Sequence, residues 1–472
     1  MRVNQGFFDA LVAIVGAERV LTGAQAAPYL CEWRGAFTPR AAAVVLPADT
    51  DAVAAIVTVC GRYDANIVAQ SGNTGLVGGS AASDADSDVI ISLAGMDRIR
   101  AVDTDDNTIT VEAGAILADV KAVAAAAHRY FPLSLASATQ CRIGGNLATN
   151  AGGLNVLRYG NTRDLTLGLE VVLADGRVWS SLSPLVKDNS GFDLRDLFIG
   201  SEGTLGIITA ATLRLYYPER QHATALCAAA SPADALAITR TLIDRSGGQV
   251  VACELMANQA VQLVRQFVVD EVSGIAMDHD WYILLELASS ATGNDLQAIL
   301  DDVMKTAGTD RAVPDYALAD THEEREALWR LRESIPAAQR AAGASIKHDI
   351  ALPVAQMPAF LARALPAVEA RLPGVRACTF GHLGDGNIHF NLTRPLDGDN
   401  TSFLAESESV HRLVHELVLE MGGSSAAEHG VGRLKVADMA RYKSPVEQAM
   451  TRAVKQALDP ETRLNPGVLV DQ

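Results

Sequence analysis

The sequence predicts an α+β fold in three parts. A first half of short strands and helices is punctuated by glycine, a second half sets longer helices against a mostly antiparallel sheet, and a helical segment closes the chain. Three observations carry this. Glycine clusters sit at 72–79, 144–153 and 200–206, each beside an apolar run. After "LRLYYPERQ" (213–221) the helical periodicities lengthen, to 231–245, 257–269, 292–307 and 320–342. From about 403 the chain reads as helix again, broken by "GGSSAAEHGVG" (422–432). The domains expected from these shifts are 1–218, 219–420 and 421–472.

Each element follows from local chemistry. "AAAVVLP" (41–47) is a short buried strand, and "DTDAVAAIVTVCGRYD" (49–64) opens on capping residues and carries an apolar helical face. "ANIVAQ" (65–70) and "NTITVEAG" (107–114) are strands, and "AILADVKAVAAAAHRY" (115–130) is a helix. "LGLEVVLADGRVWS" (167–180) is a hairpin turning at Asp175-Gly176. "VVACELM" (250–256) and "WYILLELA" (281–288) are strands between the longer helices. No internal repeat or low-complexity stretch is present.

With 472 residues, 49% hydrophobic and 20% charged, the chain has the composition of a globular protein of two or three domains. A net charge of −17 with no Lys/Arg cluster argues against nucleic acid as a partner. The six cysteines are scattered and form no C-x-x-C pair, so reduced, mostly buried thiols in a cytoplasmic protein are expected. "MRVNQGFFDALVAIVGAERV" (1–20) lacks the basic start and cleavage site of a signal peptide. No apolar run reaches the about 18 residues of a membrane span.

"QSGNTGLVGGS" (70–80) follows a strand, and its glycines let consecutive N–H groups converge on a phosphate. Gly72, Gly75 and Gly78 lie three apart, which is not the G-x-G-x-x-G of dinucleotide folds and argues against a nicotinamide enzyme. With "IGGNLATNAGG" (143–153) and "FIGSEGTLGIIT" (198–209), three such segments point to a long nucleotide cofactor lying along them. Together with "LGLEVVLADG", and in this order across 41–216, they resemble the vanillyl-alcohol-oxidase type of FAD-binding domain. The resemblance implies that Gly72, Asn73, Thr74, Gly75 and Leu76 hold the pyrophosphate of FAD. It implies that Gly144, Gly145, Gly152, Gly153 and Ile208 line the flavin and its adenosine arm. The loop has no His or Cys for a covalent link, so non-covalent FAD is expected. "DPETRLNPGVL" (459–469) resembles the family's closing motif and adds Asn465 as a flavin contact.

"RACTFGH" and "NIHFNL" read as strands around "LGDG" (383–386). With Asp385-Gly386 as a two-residue turn, His382 would face His389 with Cβ atoms about 4.5–5.5 Å apart, and Asn391 would share that face. The competing reading is a hairpin whose histidines only satisfy local hydrogen bonds. "AAEHGVGRLK" (426–435) offers Glu428 as a third ligand, and two histidines with one carboxylate make a known catalytic zinc set. Spacing alone does not bring Glu428 to the hairpin, 39 residues beyond His389.

"GHLGDGNIHFN" and "AEHGVG" resemble the metal-site motifs of the D-2-hydroxyglutarate dehydrogenase family and its relatives, the FAD-linked D-lactate dehydrogenases and glycolate oxidase subunits. The resemblance implies zinc, or another divalent metal, on His382, His389 and Glu428, with Asn391 and His429 at the substrate and His429 as catalytic base. Arg332 in "LRESIPAAQ" and Lys347 in "IKHDIALP" suit the far carboxylate of a dicarboxylate substrate. Pro336 departs from the relatives, which carry a hydroxyl there, and leaves room for another D-2-hydroxy acid. The expected reaction is oxidation of D-2-hydroxyglutarate to 2-oxoglutarate with hydride transfer to flavin N5, with D-lactate or glycolate as alternative substrates. A flavin-binding subunit of a larger complex is the reading from another class. An electron-transfer flavoprotein is the acceptor the resemblance implies, and a homodimer is left open.

Overall fold

Capping sets the first long helix. Asp49 accepts the Ala52 N–H at 2.8 Å, the helix runs Thr50–Tyr63, and Asp64 ends it in the left-handed region at φ +54°. The computed structural model describes residues 3–470 apart from 33, 34, 36, 85, 86, 269–273, 311, 312 and 314, and residue 269 at the end of one expected helix lies outside them. The described chain divides into two units: 1–153 with 159–218 and 428–472, and 154–158 with 219–427.

The first unit holds two sheets. A four-stranded sheet runs in the order Val20–Leu21, Ala43–Val45, Asp88–Ser92, Asn66–Gln70, the last three parallel. A five-stranded antiparallel sheet runs Ile99–Asp103, Thr108–Glu112, Ile207–Arg214, Thr166–Val172, Val178–Ser181. The expected hairpin turns through Asp175 and Gly176: Leu173 and Arg177 are still bonded, and Gly176 sits at φ +85°, where a side chain is disfavoured. Ile67, Val45, Ile91, Val53, Ile56 and Phe7 form one core, Ile109, Val111, Leu169, Leu213, Val120 and Phe131 a second, and Val44, Val68 and Ile90 belong to a smaller third. The closing segment joins this unit, where Leu464 bridges Ile67 and the Asn465 N–H donates to the Ile67 carbonyl at 2.7 Å.

The second unit is an eight-stranded antiparallel sheet. Its order is Tyr316–Leu318, Gln221–Ala229, Trp281–Ser289, Val250–Ala257, Arg376–His382, Asn387–Thr393, with Ser345–Ile346 and Asp349–Ala351 both on the last strand. One face packs on helices Pro232–Ser246, Leu296–Asp310, Met357–Arg371 and Ser407–Glu420 through residues such as Ile283, Leu285, Phe360, Phe390 and Val414. Val261, Val264, Leu328, Leu331 and Ile335 cover the opposite face. The expected helix 320–342 is two helices, His322–Glu333 and Ile335–Ala341. Pro336 has no N–H for the Arg332 carbonyl four residues back, so the helix breaks beside it.

Candidate active site

Three glycines in the loops of the first unit leave no room for a side chain. A Cβ on Gly72 would lie 2.9 Å from the Arg142 nitrogen, one on Gly144 2.7 Å from the Ala113 Cβ, and one on Gly153 2.0 Å from the Ser134 carbonyl oxygen. The Asn73 amide pins the 71–80 loop: it donates to the Cys31 carbonyl and accepts from the Ser80 hydroxyl, both at 2.7 Å. Asn465 is buried, and its amide NH2 spans two loops, donating to Gly79 O and Glu202 O at 2.7 Å each. Among the described residues no hydrogen-bond partner is found for its buried Oδ1 or for the Asn146 Nδ2 on the helix Ile143–Ala148. Orphaned polar atoms beside crowded glycines fit a cradle for a polar cofactor. Ile208 is 6% exposed and belongs to the apolar core beneath.

The histidine hairpin has a different register from the expected one. His382 pairs with Asn387 and Phe380 with His389, around a four-residue loop of 383–386. The reason lies outside the hairpin. Leu383 donates its N–H to Cys253 O at 2.8 Å and is fully buried, so it continues the neighbouring ladder instead of facing Ile388. Gly386, at φ +92°, closes the loop by donating to His382 O at 3.1 Å. The shift is an even number of positions, so both imidazoles stay on one face, as diagonal neighbours with ring centroids 5.8 Å apart.

The sheet fills out that face. Asp349 pairs with His389 across the next strand, their ligand atoms within 4.8 Å, and Asn387 donates to the Asp349 carboxylate at 3.1 Å. Register is the same on both sides of the break at 347–348, with Ile346 opposite Leu392 and Asp349 opposite His389, so exposed Lys347 falls opposite Asn391. The Asn391 amide donates to Gln339 Oε1 at 3.0 Å and accepts the His348 N–H at 3.2 Å.

On the other side of the hairpin Glu254 pairs directly with His382. Glu254 Oε1 holds His382 Nδ1 at 2.7 Å, and Oε2 takes Arg332 Nε at 2.8 Å and Nη2 at 2.7 Å. Arg332 also lies over the Phe380 ring at 4.8 Å. All three ionisable groups are buried. Burial alone would raise the Glu254 carboxyl; His382 and Arg332 outweigh it and hold the group well below the carboxylate range. Burial disfavours the His382 imidazolium, and the Glu254 charge reverses this, so its pKa rises.

In the first unit His429 Nε2 lies 3.5 Å from the Glu428 carboxylate, each side chain 23% exposed. The segment is anchored just beyond, where buried Glu202 accepts the Val431 and Gly432 N–H groups at 2.7 Å each. In the second unit Ala427, the residue before Glu428, donates its N–H to Asp349 O at 3.3 Å, and Ser424 bridges Ala351.

Of the residues expected at the site, Arg332, Lys347, His382, His389 and Asn391 lie on and above one sheet face. Glu254, Asp349, Gln339 and Glu202 are further residues of these networks, outside the expected set. A lone acid in the apolar run "VVACELM" was a usable signal for Glu254; nothing local marks Gln339 or Glu202.

Known proteins agree with this architecture. Residues 41–181 match the family model described as FAD binding domain, and residues 218–469 match FAD linked oxidases, C-terminal domain. The fold is that of p-cresol methylhydroxylase (TM-score 0.76, 17% identity, 98% of this chain and 97% of that one). Alkyldihydroxyacetonephosphate synthase is also similar (TM-score 0.73, 14% identity, 98% and 85%). The class is thus an FAD-binding oxidoreductase. Proteins called D-2-hydroxyglutarate dehydrogenase are similar along nearly the whole chain. That of Stutzerimonas stutzeri is 33% identical, covering 98% of each protein, and that of Xanthomonas citri pv. viticola 33%, covering 94% of this chain and 92% of the relative. The Bos taurus protein, called mitochondrial, is 34% identical over 98% of this chain and 83% of its own length. The chain belongs to the FAD-linked oxidases and, within them, to the D-2-hydroxyglutarate dehydrogenase family. Among the described residues no helix is long and apolar enough to cross a membrane.

Proposed function

We propose that the chain oxidises D-2-hydroxyglutarate to 2-oxoglutarate with FAD and a divalent metal. The observation that supports the reading is a sheet face presenting His382, His389 and Asp349, with Arg332 of the helix His322–Glu333 laid over Phe380 of that face: imidazole and carboxylate groups beside a guanidinium suited to a carboxylate. Gly72, Asn73, Thr74, Gly75, Leu76, Gly144, Gly145, Gly152, Gly153, Ile208 and Asn465 would hold FAD, and the orphaned Asn465 Oδ1 supports this. Bound FAD supplies the hydride acceptor.

His382, His389 and Glu428 would hold the metal, with Asp349 as a further donor; two imidazoles and a carboxylate suit zinc. The pairing of His382 Nδ1 with Glu254, which leaves Nε2 for an ion, supports the set, as does the Ala427–Asp349 bond just before Glu428. The ion supplies a Lewis acid at the substrate hydroxyl. His429 takes the hydroxyl proton. Arg332 gives Nε and Nη2 to Glu254 and has Nη1 for the far carboxylate. Lys347 adds charge, and Asn391 orients the near end of the substrate. A cytoplasmic location, an electron-transfer flavoprotein as acceptor and a homodimer complete the proposal.

The test mixes the purified flavoprotein anaerobically with D- and L-2-hydroxy acids and follows flavin absorbance. D-2-hydroxyglutarate should bleach the flavin, the L-isomer should not, and His389→Ala should abolish bleaching and lose the metal. Faster bleaching by D-lactate or glycolate would reassign the substrate, and no bleaching by any acid in the metal-loaded protein would refute the reading.

A further inference from the structure

We propose that Glu254 is a positioning residue that aims His382 at the metal, acting through the imidazole and not on the substrate. The inference rests on the reading of His382 as a ligand. The backbone register makes Glu254 and His382 direct cross-strand partners, so the carboxylate arrives beside the ring without a long or flexible reach. Oε1 at 2.7 Å from Nδ1 holds a hydrogen on Nδ1 and turns Nε2 away from Glu254, so Nε2 is the nitrogen an ion would take in place of a proton. Rotating the ring would break that bond.

The carboxylate itself is fixed. Arg332 takes Oε2 through two nitrogens, and Phe380, two positions before His382 on the same strand face, supports the guanidinium from below. Carboxylate, guanidinium and ring thus lock one another, and His382 loses little rotamer freedom when an ion binds. Stability does not account for the arrangement, because a buried ion pair contributes little net stability compared with apolar residues of the same volume.

Metal affinity is the direct readout and is independent of turnover. The metal is stripped from the holoenzyme, and Zn2+ or Co2+ is titrated back against a chromophoric chelator. Four proteins are compared: wild type, Arg332→Leu, the double variant Glu254→Gln with Arg332→Leu, and His382→Ala. The double variant removes both buried charges, so no unpaired guanidinium remains. It should bind metal about 10–100-fold more weakly than Arg332→Leu, the loss typical of an outer hydrogen-bond partner, with an altered Co2+ absorption spectrum. Equal affinity in these two proteins would overturn the role of Glu254. If His382→Ala also binds like wild type, it is the ligand assignment that fails. Should the double variant not fold, Glu254→Asp keeps both charges but shortens the reach; wild-type affinity in that variant would equally overturn the proposal.

Discussion

Replacing Glu202 by Ala tests how the segment carrying Glu428 and His429 is held. Glu202 lies in the glycine loop at 200–206, itself in the left-handed region at φ +51°, and both carboxylate oxygens are in use, Oε1 on the Val431 N–H and Oε2 on the Gly432 N–H. Val431 and Gly432 are buried, so Ala leaves two donors in a place water reaches poorly. Each buried unsatisfied donor costs about 1–3 kcal/mol, which puts the loss at about 2–6 kcal/mol if the segment stays in place. Part of this is offset, because burial pushes the Glu202 carboxyl above its ordinary range and the two N–H groups only partly pull it back. With a raised folded pKa, the ionisation of Glu202 opposes folding: its favourable contribution is complete below about pH 4.3 and fades as pH rises through the folded value. Near neutral pH the net loss should therefore fall below the upper end of that range, about 6 kcal/mol. Glu202→Gln, which keeps one acceptor and buries no charge, should lose less. Urea denaturation at pH 7 measures both. The same variants should lower kcat, because His429, the proposed base, sits two residues before the anchor and an error of about 1 Å in a catalytic group costs on the order of 100-fold. Stability within about 0.5 kcal/mol of wild type, together with unchanged kcat, would refute the anchoring argument.

Gly386→Ala should destabilise the second unit by at least about 1–3 kcal/mol in urea, because the new Cβ would meet Leu352 O at 2.1 Å and φ is +92°. Arg332→Lys should raise KM for a dicarboxylate far more than for a 2-hydroxy monocarboxylate, since an ammonium cannot hold Glu254 through two nitrogens and stack on Phe380 while still reaching substrate; equal effects on both substrates would count against the assigned role. Glu254 and Glu286, the latter bound by His222, Arg325 and Trp329, both have lowered pKa values, so their stabilisation is present above about pH 4.3 and is lost as pH falls through the folded values, a loss that acid titration by circular dichroism follows. Of the six free cysteines only Cys31 is exposed, so a thiol reagent should titrate one equivalent in the native protein.

The histidine hairpin shows where local reading stops. Both strands were legible from "RACTFGH" and "NIHFNL", and so was the shared face of the imidazoles, because side chains alternate with a period of two. The turn was not. Asp-Gly predicts a two-residue loop, but the pull of Leu383 onto Cys253 and the close approach of Gly386 to Leu352 are made by segments more than 100 and more than 30 residues away in the chain. The break beside Pro336 had a local cause and could have been read from the missing N–H alone.

What the sequence by itself determined is the inventory: the glycine segments, the apolar periods that make each strand and helix, the metal-competent residue types, and the family motifs that join them. These depend on residues close in the chain. Only the tertiary structure decided which distant side chains meet. Glu254 comes to His382 from 128 positions away and Arg332 to Glu254 from 78, and Glu202 reaches Val431 across 229. No local propensity encodes such pairs. They follow from strand order in a sheet and from burial, which forces each enclosed charge or N–H group to find a partner wherever the fold supplies one.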